Sequence, residues 1–382
     1  MKKCFALILF CILLYSCRTI SIKDKINFKY EADWYLAGGN PEKTNISKSD
    51  KDLNPPFKLV WTYNTEAAYS KFSISVVDRI IFTSNLKGDV FALDIYSGGR
   101  LGSFGTNGKT SYSTPVIYNN NIIVTCSNSE TNTITSYDFV TGKVNWGKNI
   151  GDVYSSPILI NDFIFITTSK GCIYKLDAKS GFTKWIFKIN NPMNFPEPFF
   201  AGPVSDGNLI VAGNTDGYVY AVNSESGNKE WSFKTNSNIY CDASFYKSKI
   251  FLGSDDGFFY CLDTSGSLIW KKNFKTKIQS SPTFYNDMVI IPGIDGYIYS
   301  LDINNGNDKW IYETKGTIWA SPLINKDKIF IGSFDNYFYC LDAESGKLLW
   351  QYLLEGRIRS SAVIWEDFIV VGCDDKQIYC FK

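Results

Sequence analysis

Histidine is absent from all 382 residues. The chain therefore lacks the side chain most used for proton transfer near neutral pH, which is also the commonest metal ligand. A Ser-His-Asp arrangement is excluded, and any catalysis would fall to other groups. Methionine is scarce, with 3 residues. No sign of charge dominates: 39 Lys and Arg stand against 38 Asp and Glu, a net charge of +1. Such a balance creates no field that would gather nucleic acid, so none is expected as a partner. There is no CxxC spacing, no Cys-Cys pair and no haem-attachment CxxCH. No Gly-rich phosphate loop follows a strand and opens a helix.

What is present is aromatic and apolar, at 16% and 45% of residues, a composition suited to flat side chains stacked between sheets. Lys2 and Lys3 precede an apolar run from Phe5 to Tyr15, then Ser16 and Cys17. This is the order of a secretory signal, and the run is too short to span a bilayer. Leu14-Tyr15-Ser16-Cys17 resembles a bacterial lipobox, which implies a signal peptide over 1–16 and a lipidated Cys17. Arg18 rather than Asp follows, which in similar lipoproteins permits transfer to the outer membrane. Residues 17–56, rich in Lys, Asp, Asn and Ser, read as a tether. Cys4 and Cys11 fall in the leader, leaving seven cysteines in the body, an odd number that cannot pair completely. Cys261, Cys340 and Cys380 share one repeat position and read as small buried strand residues.

A fixed period governs the rest. Trp231, Trp270, Trp310 and Trp350 lie 39 or 40 residues apart, as do Trp146 and Trp185, and each closes a phrase such as Leu341-Asp342-Ala343-Glu344-Ser345-Gly346-Lys347-Leu348-Leu349-Trp350. Each unit carries four strand-like runs, with a tight Asp-Gly hairpin between the second and third, as at Asp216-Gly217 and Asp256-Gly257. A repeated four-stranded unit of about forty residues is a propeller blade. Small residues near Ser70, Ser113, Ser155, Ala201, Cys241, Ser280, Ala320 and Ser360 open eight such units. The last stops after its third strand, while residues 57–63, with Trp61, form a strand with no blade before it. Joining the two removes both open edges, so the expected fold is an all-β, eight-bladed propeller over 57–382. Blade one departs from the pattern, with Phe104 near the Trp position.

The Leu-Asp-x-x-x-Gly-x-x-x-Trp phrase resembles the tryptophan-docking motif of PQQ-like, quinoprotein-type β-propellers, and the resemblance covers 57–382. The patch Asp33-Trp34-Tyr35-Leu36-Ala37-Gly38-Gly39-Asn40-Pro41-Glu42-Lys43-Thr44-Asn45 is similar to a segment that often precedes these propellers, which implies that it packs on the body. One branch of the family, the quinone-dependent dehydrogenases, holds PQQ and calcium; with no adjacent cysteines here, no cofactor is expected. The other branch, outer-membrane assembly lipoproteins of the BamB type, implies a non-enzymatic scaffold that binds the barrel-assembly machinery. A surface lipoprotein binding a ligand or glycan is the third reading.

In a propeller the innermost strands line the axis. Aligned on their small residues, these place Tyr69, Tyr112, Tyr154, Phe200, Tyr240, Gln279, Trp319 and Arg359 at one level as a candidate contact ring. The same ring could equally serve packing between blades. The excess length between Trp185 and Trp231 is spent on a proline-stiffened loop carrying Met193 and Phe195, a candidate apolar finger. Asp255-Asp256 and Asp374-Asp375 are assigned to turns, because consecutive turn residues point apart.

Overall fold

The computed structural model describes residues 19–23, 26–29, 32–106, 110–190 and 197–382. These form eight four-stranded antiparallel sheets, with no helix among the described residues. Blade five shows the plan: Ser244–Tyr246, Lys249–Gly253, Phe258–Asp263 and Leu268–Asn273 pair in sequence order from the axis outwards. The small residues that mark each unit precede the innermost strand rather than belonging to it; in blade seven Ala320-Ser321-Pro322 leads into Leu323–Asn325. Blade eight is completed as expected by Leu59–Asn64, which pairs antiparallel with Gln377–Phe381.

Burial explains the sequence patterns. Each blade is covered on both faces by its neighbours, so the middle strands are buried along their length without a two-residue alternation, as in Phe258–Asp263 and Lys328–Gly332. Outer strands regain the alternation of half-solvated strands, as in Lys229–Lys234. The core lies between blades: one cluster joins Val211 and Val219 of blade four to Ile250 and Leu262 of blade five.

Tryptophan docking ties neighbouring blades together. The Trp231 indole Nε1 donates to the Thr264 carbonyl at 2.9 Å, and its ring lies where a Cβ on Gly266 would meet it at 2.5 Å. Gly266 has φ +84°, so glycine is required there for both its backbone and its missing side chain. Trp61, Trp146, Trp185, Trp270 and Trp310 donate in the same way to Ile95, Ala178, Ser224, Ile303 and Ala343. Trp350 faces the seam where the chain ends meet, and there it packs edge-on against Phe57 and Phe381.

Blade one differs from the sequence reading. The register places Gly102, opposite Ala92, at the docking position; Phe104 lies two residues further on, opposite Val90. The space that an indole would take is filled from outside the blade by Thr19 and Ile20. A Cβ on Gly102 would meet the Ile20 Cα at 2.7 Å, and one on Gly142, in the turn of blade two, would meet the Thr19 Cβ at 3.2 Å. Ile20 is fully buried, and the Ile22 amide donates to the Phe139 carbonyl at 2.8 Å.

Much of the stretch read as a tether is also laid against the propeller. Residues 34–47 cross the end of the axis near the hairpins between first and second strands, adding backbone bonds to innermost strands. Trp34 exchanges two such bonds with Val76, and the carbonyls of Pro41, Glu42 and Asn45 accept from Ser205, Phe245 and Ile324. At the centre Lys43 is fully buried, its Nζ 2.8 Å from Asp242 Oδ2. The segment stops that end of the channel.

Candidate functional site

The opposite end stays open as a cup of about 360 Å³ lined by Ser70, Lys71, Leu86, Tyr112, Tyr154, Phe200, Tyr240, Gln279, Ser280, Trp319 and Arg359. Seven of the eight residues expected in the ring therefore meet. Tyr112, Tyr154, Phe200 and Tyr240 come from four successive blades, with ring centroids 5.6, 5.0 and 5.5 Å apart. They form a continuous aromatic crescent on one side of the axis. Burial raises the Tyr154 phenol, with Asp152 and Tyr112 adding to it.

The opposite side is cationic. Arg359 lies 5.1 Å from the Trp319 ring and 5.5 Å from that of Phe334, and bonds Asp374 at 3.3 Å. Arg357 reaches the same carboxylate at 3.5 Å. Gln279 donates to Asp255, which Lys277 also pairs. The acids at this mouth thus already have cationic or amide partners. Arg359 Nε and Asp374 Oδ1 are among the buried polar atoms left without one in the described residues.

Tyr69 is the exception. It is buried, its hydroxyl is bonded to Thr65, and its ring covers Gly372 of blade eight, as Ile239 covers Gly213 and Ile278 covers Gly253. Tyr69 is thus the counterpart of Ile239, not of Tyr240. Blade one carries one extra residue before its innermost strand: Tyr69 lies six positions before Ser75, whereas Ile239 lies five before Ser244, and Ser75 and Ser244 face Phe82 and Phe251 in the same register. Aligning on the small residue alone hid that insertion.

The same extra residue brings Lys71 into the cup, a residue the ring alignment passed over. Its Nζ crosses the axis to the Gln279 carbonyl at 3.1 Å and Ser281 Oγ at 3.3 Å, and no carboxylate pairs it among the described residues. Desolvation, then the nearby Lys43 ammonium, lowers its pKa, while Asp242 opposes that shift. Lys71 thus sets an amine with no acidic partner among the described residues beside the aromatic wall, inside the ring that the repeat pattern marked as a candidate contact surface. Met193 and Phe195 lie outside the described residues, as does Cys17.

The family model described as "Beta-alanine-activating enzyme, beta-propeller" matches residues 58–341. The chain belongs to this beta-propeller family. Among solved structures, the family's fold in this chain is similar to BamB from Moraxella catarrhalis, with a TM-score of 0.70 and 16% identity over 85% of this chain and 99% of that one. It is also similar to quinohemoprotein alcohol dehydrogenase from Comamonas testosteroni, with a TM-score of 0.79 and 14% identity over 93% and 81%. The computationally designed Ika8 protein gives 0.72 and 16% over 85% and 99%. At these identities the likeness is one of fold, a PQQ-like propeller. No curated protein matches the chain.

Proposed function

We propose that this propeller is a lipid-anchored binding scaffold of the bacterial envelope, with a role like that of BamB in outer-membrane protein assembly, and that it is not an enzyme. The observation that carries the reading is the blind cup. It offers an aromatic wall, an amine without an acidic partner and a cationic rim in one place, which is the chemistry of a contact surface for apolar groups and acceptors. The lipobox-like run ending at Cys17 supports anchoring, because several acyl chains hold a protein on a membrane. The partner in this reading is an envelope protein, with the barrel-assembly machinery the foremost choice.

The quinone-dependent dehydrogenase is the alternative reading, and the cup's residues do not fit it. Calcium needs several free oxygen ligands, whereas Asp374, Asp255 and Asp242 are engaged by Arg359, Lys277 and Lys43. Photocrosslinkers at Trp319 and Tyr154 in intact cells should trap an envelope protein, and Lys71→Met should weaken the capture. Crosslinking no better than at the outer-strand residue Leu348 would sink the proposal. A chromophore retained after adding the quinone with calcium, together with dye reduction, would establish the alternative instead.

A further inference from the structure

Thr19 and Ile20 are wedged between blades one and two, in place of the missing tryptophan. Ser21 Oγ donates to the Val140 carbonyl at 3.0 Å, and the Ile22 amide to Phe139. Two residue steps separate Thr19 from Cys17, a reach of at most about 7 Å. If Cys17 is acylated, the anchor has almost no slack, and one edge of the propeller is brought to the lipid surface.

That edge is basic, as are the outer strands of blades four and five, Lys229–Lys234 and Leu268–Asn273. The outer strands of blades one to three, Arg100–Gly105, Lys143–Lys148 and Thr183–Lys188, carry five basic residues and no acidic one. Those of blades six to eight, Asp308–Glu313, Leu348–Leu353 and Leu59–Asn64, carry one basic and two acidic residues. Where the strands begin, beside the wedge, Arg100, Lys143 and Lys184 alternate with the exposed apolar side chains of Leu101, Val144 and Phe182. Exposed cations interleaved with apolar groups suit the headgroup layer of an anionic bilayer.

Strand direction fixes the rest. Strands alternate in each blade, so the turns that hold Thr19 and Ile20 lie at the end opposite the cup mouth. We propose that the outer edge of blades one to three rests on an anionic lipid surface, with Arg100, Lys143 and Lys184 at the headgroups and the cup opening on the face away from the anchor. This rests on the anchoring of Cys17 put forward above.

The test uses the full chain made in a lipid-modifying bacterium and reconstituted into vesicles of phosphatidylethanolamine and phosphatidylglycerol. A fluorescent amino acid replaces Val144 in one preparation and Leu348 in another, and nitroxide-labelled lipid is the quencher. Quenching at least about threefold stronger at 144 is expected, with the contrast lost in the R100Q/K143Q/K184Q variant. Equal quenching at both positions overturns the proposal. Intact mass separately shows whether Cys17 carries acyl chains. If it is bare, the anchoring reading fails, and the reporters are read on that protein mixed with the same vesicles. There the edge still predicts stronger quenching at 144, and no binding, or equal quenching, refutes it.

Discussion

Lys43 and Asp242 are 2.8 Å apart at the closed end of the axis, and both are buried. Removing one partner from such a pair leaves an uncompensated charge, which typically costs about 3–5 kcal/mol. Lys43→Met should lower stability to denaturant by about that amount, and Lys43→Met with Asp242→Leu should recover much of it. The seven body cysteines are all free and buried. Burial pushes Cys241 up to about 11, and Cys261, Cys340 and Cys373 up to about 12, from an ordinary 9.0. A raised thiol pKa favours the fold fully below the unfolded value and ceases to do so as pH climbs to the folded one. Stability should therefore fall between about pH 9 and pH 12, and a thiol reagent at pH 8 should find the seven groups only after unfolding. Rapid labelling of the folded chain would show that the thiols are not held in the core. That Cys261, Cys340 and Cys380 are small buried strand residues was legible from their shared repeat position. Lys71 was not, because one inserted residue shifts blade one out of the register that the other blades share.

Docking can be weighed element by element. Gly266 and Gly207 both have positive φ, but only Gly266 faces an indole; nothing lies within 4 Å of a Cβ on Gly207. Gly266→Ala should cost on the order of 1–3 kcal/mol more than Gly207→Ala in chemical denaturation. An equal cost would mean that backbone strain alone accounts for the glycine. The wedge should behave as core. Ile20→Ala leaves a void over Gly102 and should cost about 2–4 kcal/mol; a change under half a kilocalorie would show that the wedge does not seal the seam. The strands, the Asp-Gly hairpins and the docking phrase were readable from repetition, since each residue answers to the same geometry in blade after blade. Thr19 and Ile20 were not readable. Their role exists only because Gly102 stands where a tryptophan is expected, and nothing in Thr-Ile-Ser-Ile itself signals a docking element.

At the scale of the molecule, two devices make a ring of blades into a cup. The strand Leu59–Asn64 closes blade eight on Gln377–Phe381, and the segment before it stops one end of the axis. That seven of the contact-ring residues meet at the axis was foreseen, since equivalent positions on repeated innermost strands must converge there. The floor of the cup was not, because the crossing segment has no repeat and its bonds reach residues more than two hundred positions away. The capture proposed for the aromatic crescent needs both devices, as an open ring would neither hold the eight blades in register nor give the cup a floor. Closure is therefore the claim on which the rest depends, and native-state amide hydrogen exchange tests it on the unaltered chain. The amides of Gln377–Phe381 should exchange as slowly as those of the central strand Phe258–Asp263, and the amides of Leu59–Asn64 that bond to it as slowly as their counterparts in the outer strand Leu268–Asn273. Fast exchange confined to these two strands, with the other blades protected, would mean that the ring is not sealed where the chain's ends meet.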